Sequence, residues 1–142
     1  MKKVPPSGML GSMLRVFKTR HFARWMRKTT LTDASLCEAI AEMRQGLIDA
    51  DLGGGVVKKR LALAGRGKRG GARTLVATNK GNRWFFLFGF EKNDRANISD
   101  AELEALQEVA VELLARTAAQ LDIALKDRSL HEIRHGHQED PC

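Results

Sequence analysis

The sequence predicts an α+β fold, a small antiparallel-rich sheet with two N-terminal helices packed on it and a C-terminal helix, in the order β-α-α-β-β-β-α. Three observations predict it. Alternating or β-branched runs at 14–18, 56–64, 73–78 and 84–90 read as strands. Apolar residues at helical spacing behind capping residues read as helices. The 142 residues fit one domain, long enough to bury a core without disulfide or metal staples.

Leu14-Arg15-Val16-Phe17-Lys18 alternates apolar and basic residues, as a half-buried first strand does. Thr19 to Thr30 reads as a short helix with Phe22, Trp25 and Met26 on one side and Arg20, Arg24, Arg27 and Lys28 on the other. Thr32 caps a second helix whose stripe is Leu36, Ile40, Met43 and Leu47, ended by Gly46 and the Gly53-Gly54-Gly55 run. In Val56 to Ala64 the period of two puts Val57, Lys59, Leu61 and Leu63 on one face and Val56, Lys58, Arg60 and Ala62 on the wetter one. Arg73 to Thr78 and Trp84 to Phe90 form a hairpin around Asn79-Lys80-Gly81-Asn82, the second strand apolar on both faces. Ser99-Asp100-Ala101-Glu102 is a capping box opening one last helix that carries Leu103, Leu106, Ala110, Leu113 or Leu114, and Leu121 inward. The helices are expected on one face of the sheet. Residues 1–13 form a basic extension, 14–125 the folded domain, and 126–142 a polar, His-rich, flexible tail.

Charge is segregated along the chain. The net charge is +7, yet residues 1–32 hold eight Lys or Arg and no acid, 53–90 hold nine bases and no acid, and 91–142 hold twelve acids against six bases. An acid-free stretch of that length gives a positive surface suited to a polyanion, above all nucleic acid; the plainer alternative is a solvated basic face. No apolar run approaches a bilayer span, and the first residues leave no room for a signal peptide, so the expected location is cytoplasmic with no membrane partner. The two cysteines make no framework: Cys37 reads as a small buried hydrophobe and Cys142 as a stray thiol in a reducing compartment.

Two motif matches lack their context. Gly65-Arg66-Gly67-Lys68-Arg69-Gly70 fits G-x-G-x-x-G, but no helix follows to aim its amides at a pyrophosphate, so it reads as a mobile cationic loop whose Arg66, Lys68 and Arg69 bind phosphate. His131-Glu132-Ile133-Arg134-His135 fits H-E-x-x-H but sits in the polar tail, so neither a metal nor any other cofactor is expected. The aromatic run Trp84, Phe85, Phe86, Phe88, Phe90 reads as core, with Phe90 the member placed to reach a surface groove. His21 reads as a surface residue, with acid-base work the alternative. No serine has a plausible His/Asp partner and there is no tyrosine. Chemistry therefore falls to cations. Lys58, Lys59, Arg60, Lys68, Arg69, Arg73 and Lys92 can clamp a phosphodiester and stabilise charge developing on its oxygens, and RNA supplies its own nucleophile in the 2′-hydroxyl. A lysine among like charges serves as acid or base.

On these residues the chain resembles the RelE/HigB family of type II toxin-antitoxin toxins, in the RelE/ParE superfamily. The match spans Leu14 to Leu121 in element order. Its most specific parts are Lys68-Arg69-Gly70-Gly71-Ala72-Arg73, in the manner of the HigB-like branch, and Phe88-Gly89-Phe90-Glu91-Lys92-Asn93. The resemblance implies a RelE-like toxin that inhibits translation as a metal-independent endoribonuclease, cutting messenger RNA on the ribosome by 2′-hydroxyl attack. Its partners would be the ribosome, messenger RNA and a cognate antitoxin of helix-turn-helix type, which either covers the cationic groove or pulls on the last helix. Arg73 matches the family's strand arginine, Lys92 its basic position after the last strand, and Lys58 or Arg60 its lysines on the preceding strand; Lys68 and Arg69 belong to the branch signature. With no tyrosine, the general base falls to a lysine or Glu91. Two other classes share the pattern: a ParE-like inhibitor of DNA gyrase, and a non-catalytic RNA-binding regulatory module.

Overall fold

The computed structural model describes residues 13–65, 67–134 and 142, with the backbone alone for residues 67–69. Strand β1 (Arg15–Thr19) leads into helix α1 (Arg20–Met26) and helix α2 (Asp33–Arg44). Strands β2 (Ala50–Gly53), β3 (Val56–Leu63), β4 (Gly67–Thr78) and β5 (Arg83–Glu91) follow, then helices α3 (Asp100–Leu114) and α4 (Ala118–Lys126) and strand β6 (Leu130–Glu132). The sheet order is β2-β3-β4-β5-β1-β6, antiparallel except for the parallel β1–β5 pair. This is the expected α+β class, with more elements than the sequence suggested.

Helices cover both faces of the sheet, not one. On the first face α1 and α2 pack through Phe22, Leu36, Ile40 and Met43 against Val57, Val76, Trp84 and Phe86. On the second, α3 and α4 pack through Ala110, Leu113, Leu121 and Ala124 against Phe17, Val56, Leu75 and Phe85. The apolar-on-both-faces character of β5 requires this arrangement, since either face left bare would expose a run of aromatic rings. Leu47, expected in the α2 stripe, is 56% exposed because the helix ends at Arg44 and Gly46 turns the chain at φ +93°.

Other differences have local causes. The single C-terminal helix is two, since Thr117 accepts from the Gln120 amide and Gln120 reaches back to the Thr117 amide, a capping box that starts a new helix. The tail expected from residue 126 is ordered through 134. Its strand β6 pairs with β1, and Ile133 is buried with its amide on the Val16 carbonyl at 2.8 Å. Cys37 and Cys142 are not separate thiols but a disulfide across 105 residues. The tail residues 135–141, His135 of the H-E-x-x-H match and the extension 1–12 lie outside the described residues.

One irregularity shapes β5. Leu75 pairs with Phe88 and Val76 with Phe86, so Leu87 is an extra residue, and Leu87 and Phe88 both belong to the second face. Gly89 then backs onto α1, where a Cβ would come within 2.6 Å of Trp25 Cε3. Gly89→Ala is expected to lower the unfolding free energy by about 1–3 kcal/mol through overpacking, read as a shift in the urea midpoint. An unchanged midpoint would mean that Trp25 yields at no cost.

Candidate nucleic-acid interface

The period of two along β3 sorts its three consecutive cations. Lys59 faces α2, where its Nζ lies 2.7 Å from Glu42 Oε1 and donates to the Leu47 carbonyl at 2.9 Å. It is buried and structural, which removes it from the cations proposed to clamp a substrate. Lys58 and Arg60 project to the second face, as the alternation predicts. There the ladder register sets Arg60 opposite Arg73 on β4, and Arg73 opposite Phe90 on β5. Directly opposed residues have Cβ atoms roughly 4.5–5.5 Å apart, and like charges so placed repel. Lys58 stands one step along, opposite Leu75, with its Nζ 3.4 Å from Asn97 Oδ1.

The row is held from its ends. The Arg60 amide donates to Asp49 Oδ2 at 2.7 Å while the guanidinium stays half exposed, 3.8 Å from the same carboxylate. Arg73 is 8% exposed, so its charge sits in a partly dried environment where electrostatic attraction to an anion is stronger than in water. The Lys92 amide donates to the Gly71 carbonyl at 3.1 Å, extending the β4–β5 ladder by one residue and giving exposed Lys92 the same parity as Phe90 and Arg73. Lys58, Arg60 and Arg73 therefore share one sheet face, and Lys92 follows the end of β5 beside Gly71. Glu91 does not join them. Paired with Ala72, it belongs to the opposite face, where it lines a cavity with Arg27 and Lys28.

Three site expectations change. The Gly-rich segment is not a mobile loop: from Gly67 onward it is strand β4, Gly67 pairing with Leu63 after a turn in which Gly65 takes φ +79°. Arg66 lies outside the described residues, as do the side chains of Lys68 and Arg69. Phe90 does not reach an open groove; it is 4% exposed, and the Arg95 guanidinium carbon lies 5.6 Å above its ring. The half-exposed aromatic of that face is Phe88, brought there by the extra residue Leu87. The H-E-x-x-H stretch is strand, not helix, at His131 and Glu132, and the Glu132 carboxylate is taken by Arg15 at 2.9 Å and Arg134 at 3.1 Å.

Arg95 was not singled out by the sequence, and Glu102 was read only as the closing residue of a capping box. Arg95 donates to both oxygens of Glu102, one of the bonds at 3.0 Å, and Glu102 also accepts from the Ser99 amide at 2.7 Å as the closing residue of the α3 capping box. The arginine, then the backbone amide, hold its carboxyl down at about 2. That stabilisation is complete above the ordinary carboxyl value of 4.5 and is lost as pH falls from there toward about 2. Glu102→Gln is thus expected to melt below the wild type at neutral pH, the gap closing as pH falls through that window. A gap independent of pH would show that the charge does not matter.

Two packed faces, one of them setting Arg60 and Arg73 directly opposite each other, define a small mixed-sheet α+β protein. The sequence model of the family described as "RelE toxin of RelE / RelB toxin-antitoxin system" matches residues 14–133, and the chain belongs to that family. The matched segment runs through β6, so the last strand is part of the family domain. No curated protein matches the chain. As a member of this toxin family it pairs with an antitoxin. Among the described residues no helix is long and apolar enough to cross a membrane.

Proposed function

We propose that this toxin is a metal-independent endoribonuclease that cuts messenger RNA on the ribosome and so stops translation. The observation that carries the reading is the Arg60–Arg73 pair, two like charges set directly opposite each other beside Lys58 and Lys92. Such a grouping favours a bound phosphodiester. The ribose 2′-hydroxyl attacks the adjacent phosphorus, the bond to the 5′-oxygen breaks, and a 2′,3′-cyclic phosphate and a 5′-hydroxyl result. Arg73 and Arg60 stabilise the charge gathering on the non-bridging oxygens. One proton leaves the 2′-hydroxyl and one reaches the departing oxygen; with Glu91 on the other face, we assign these transfers to Lys58 and Lys92. Lys68 and Arg69, earlier on β4 than Arg73, are further cations we assign to the site, and the ribosome, messenger RNA and a helix-turn-helix antitoxin are the partners in a cytoplasmic setting.

Expression without the antitoxin tests this. Growth arrest with primer-extension stops inside translated codons is the expected result. Arrest with intact messages and induction of the DNA-damage response would replace it with gyrase inhibition, and no arrest at all would leave an RNA-binding module.

A further inference from the structure

From Phe90 the second face continues as a ladder of flat groups. Phe88 meets Phe90 at 6.4 Å between ring centroids, and His21 lies parallel to Phe88 at 5.4 Å with planes 7° apart. Beside this ladder opens a cavity of about 360 Å³ lined by His21, Leu87, Phe88, Leu106, Val109 and Glu102, among others. It lies in the size range of small-ligand sites, roughly 300–1,000 Å³. Its walls are aliphatic and aromatic, with Val109 40% exposed. Glu102 is on the lining too, but Arg95 and the Ser99 amide engage both its carboxylate oxygens, and the exposed lining is almost wholly apolar.

Position ties the cavity to the cationic row. Across the sheet β4, β5 and β1 are neighbours: Arg73 is on the first, Phe90 and Phe88 are on the second, and Thr19, which also lines the cavity, ends the third. At roughly 4.8 Å per strand, the cavity is one to two strand widths from Arg73 and one more from Arg60, within the reach of neighbouring nucleotides of one strand. Aromatic side chains beside a cationic track are how single strands are held, each stacked base contributing about 1–3 kcal/mol.

We propose that this cavity receives an unstacked nucleobase of the RNA whose phosphates lie on the Arg60–Arg73 row, held by apolar contact and by the flat rings of Phe88 and His21 rather than by hydrogen bonds. The inference rests on the RNA-cleavage reading above.

The test is a methyl NMR titration of the intact protein with AMP, CMP, GMP and UMP, and with ribose 5-phosphate as a probe without a base. The methyls of Leu87, Leu106 and Val109 are expected to shift with all four nucleotides at millimolar concentration and not with ribose 5-phosphate. Val109→Phe, which fills the cavity, and His21→Ala, at an exposed position, should both weaken these shifts and lower the yield of RNA cleavage several-fold. Methyls unmoved by every nucleotide at about 10 mM, well above the roughly millimolar affinity expected, would overturn the pocket whether or not messages are cut. Shifts without cleavage in cells would retain the pocket and refute the nuclease. Variants that keep wild-type cleavage but escape neutralisation by the cognate antitoxin would assign the cavity to a protein partner and overturn the proposal.

Discussion

Replacing Arg73 with methionine is expected to reduce RNA cleavage by about 100-fold or more while the protein still folds, because Arg73 stands at the centre of the cationic row and its environment is largely dry. Loss of one preorganised charge-stabilising group at a phosphoryl or acyl centre typically costs about 10²–10³ in rate. Methionine keeps the apolar stem that packs on the sheet and removes the guanidinium, so the fold loses little packing. Arg60→Met, at a half-exposed position already 3.8 Å from Asp49, is expected to act in the same direction but more weakly. Quantified primer extension with the thermal midpoint measured alongside checks both. Wild-type cleavage by Arg73→Met would remove the row from the chemistry, and a collapsed midpoint would show that Arg73 is there for the fold.

The same row shows how far the sequence could be read. Alternation along 56–63 assigned Lys58 and Arg60 to one face and Lys59 to the other, and the buried Lys59–Glu42 ion pair agrees with that assignment. Including Lys59 among the clamping cations ignored the period and counted charge alone. The facing of Arg73 and Arg60 was not legible, because register between strands depends on a turn and on pairing that no single segment encodes. The extra residue Leu87 was hidden for the same reason: in an all-apolar run nothing marks the point where two successive side chains share a face. By contrast, the break between α3 and α4 was legible. Thr117 and Gln120 stand three apart in the pattern already used at Ser99 and Glu102, but a continuous apolar stripe through Leu121 masked them. Strand β6 is three residues long and half polar, and only the open edge of β1 gives it a reason to form.

Reduction of the Cys37–Cys142 disulfide is expected to lower stability by up to about 4–5 kcal/mol, since a cross-link closing a loop of this length removes that much conformational freedom from the unfolded chain. Both sulfurs belong to the first face. Cys37 is buried in α2, and Cys142 packs against the same cluster as Trp25 and Ile48. The cationic row is on the other face, so thermal stability should change while the cleavage rate of the folded protein does not. Cys142→Ser should melt well below oxidised wild type and level with reduced wild type. Adding Cys37→Ser should cost little more, because both substitutions break one bond and their effects cannot add. Differential scanning calorimetry with and without dithiothreitol, beside thiol counting in the native state, measures this. Two free thiols in the protein purified without reductant, or a midpoint indifferent to reductant, would show that the cross-link does not form. The C-terminal residue would then be held by its apolar contact alone.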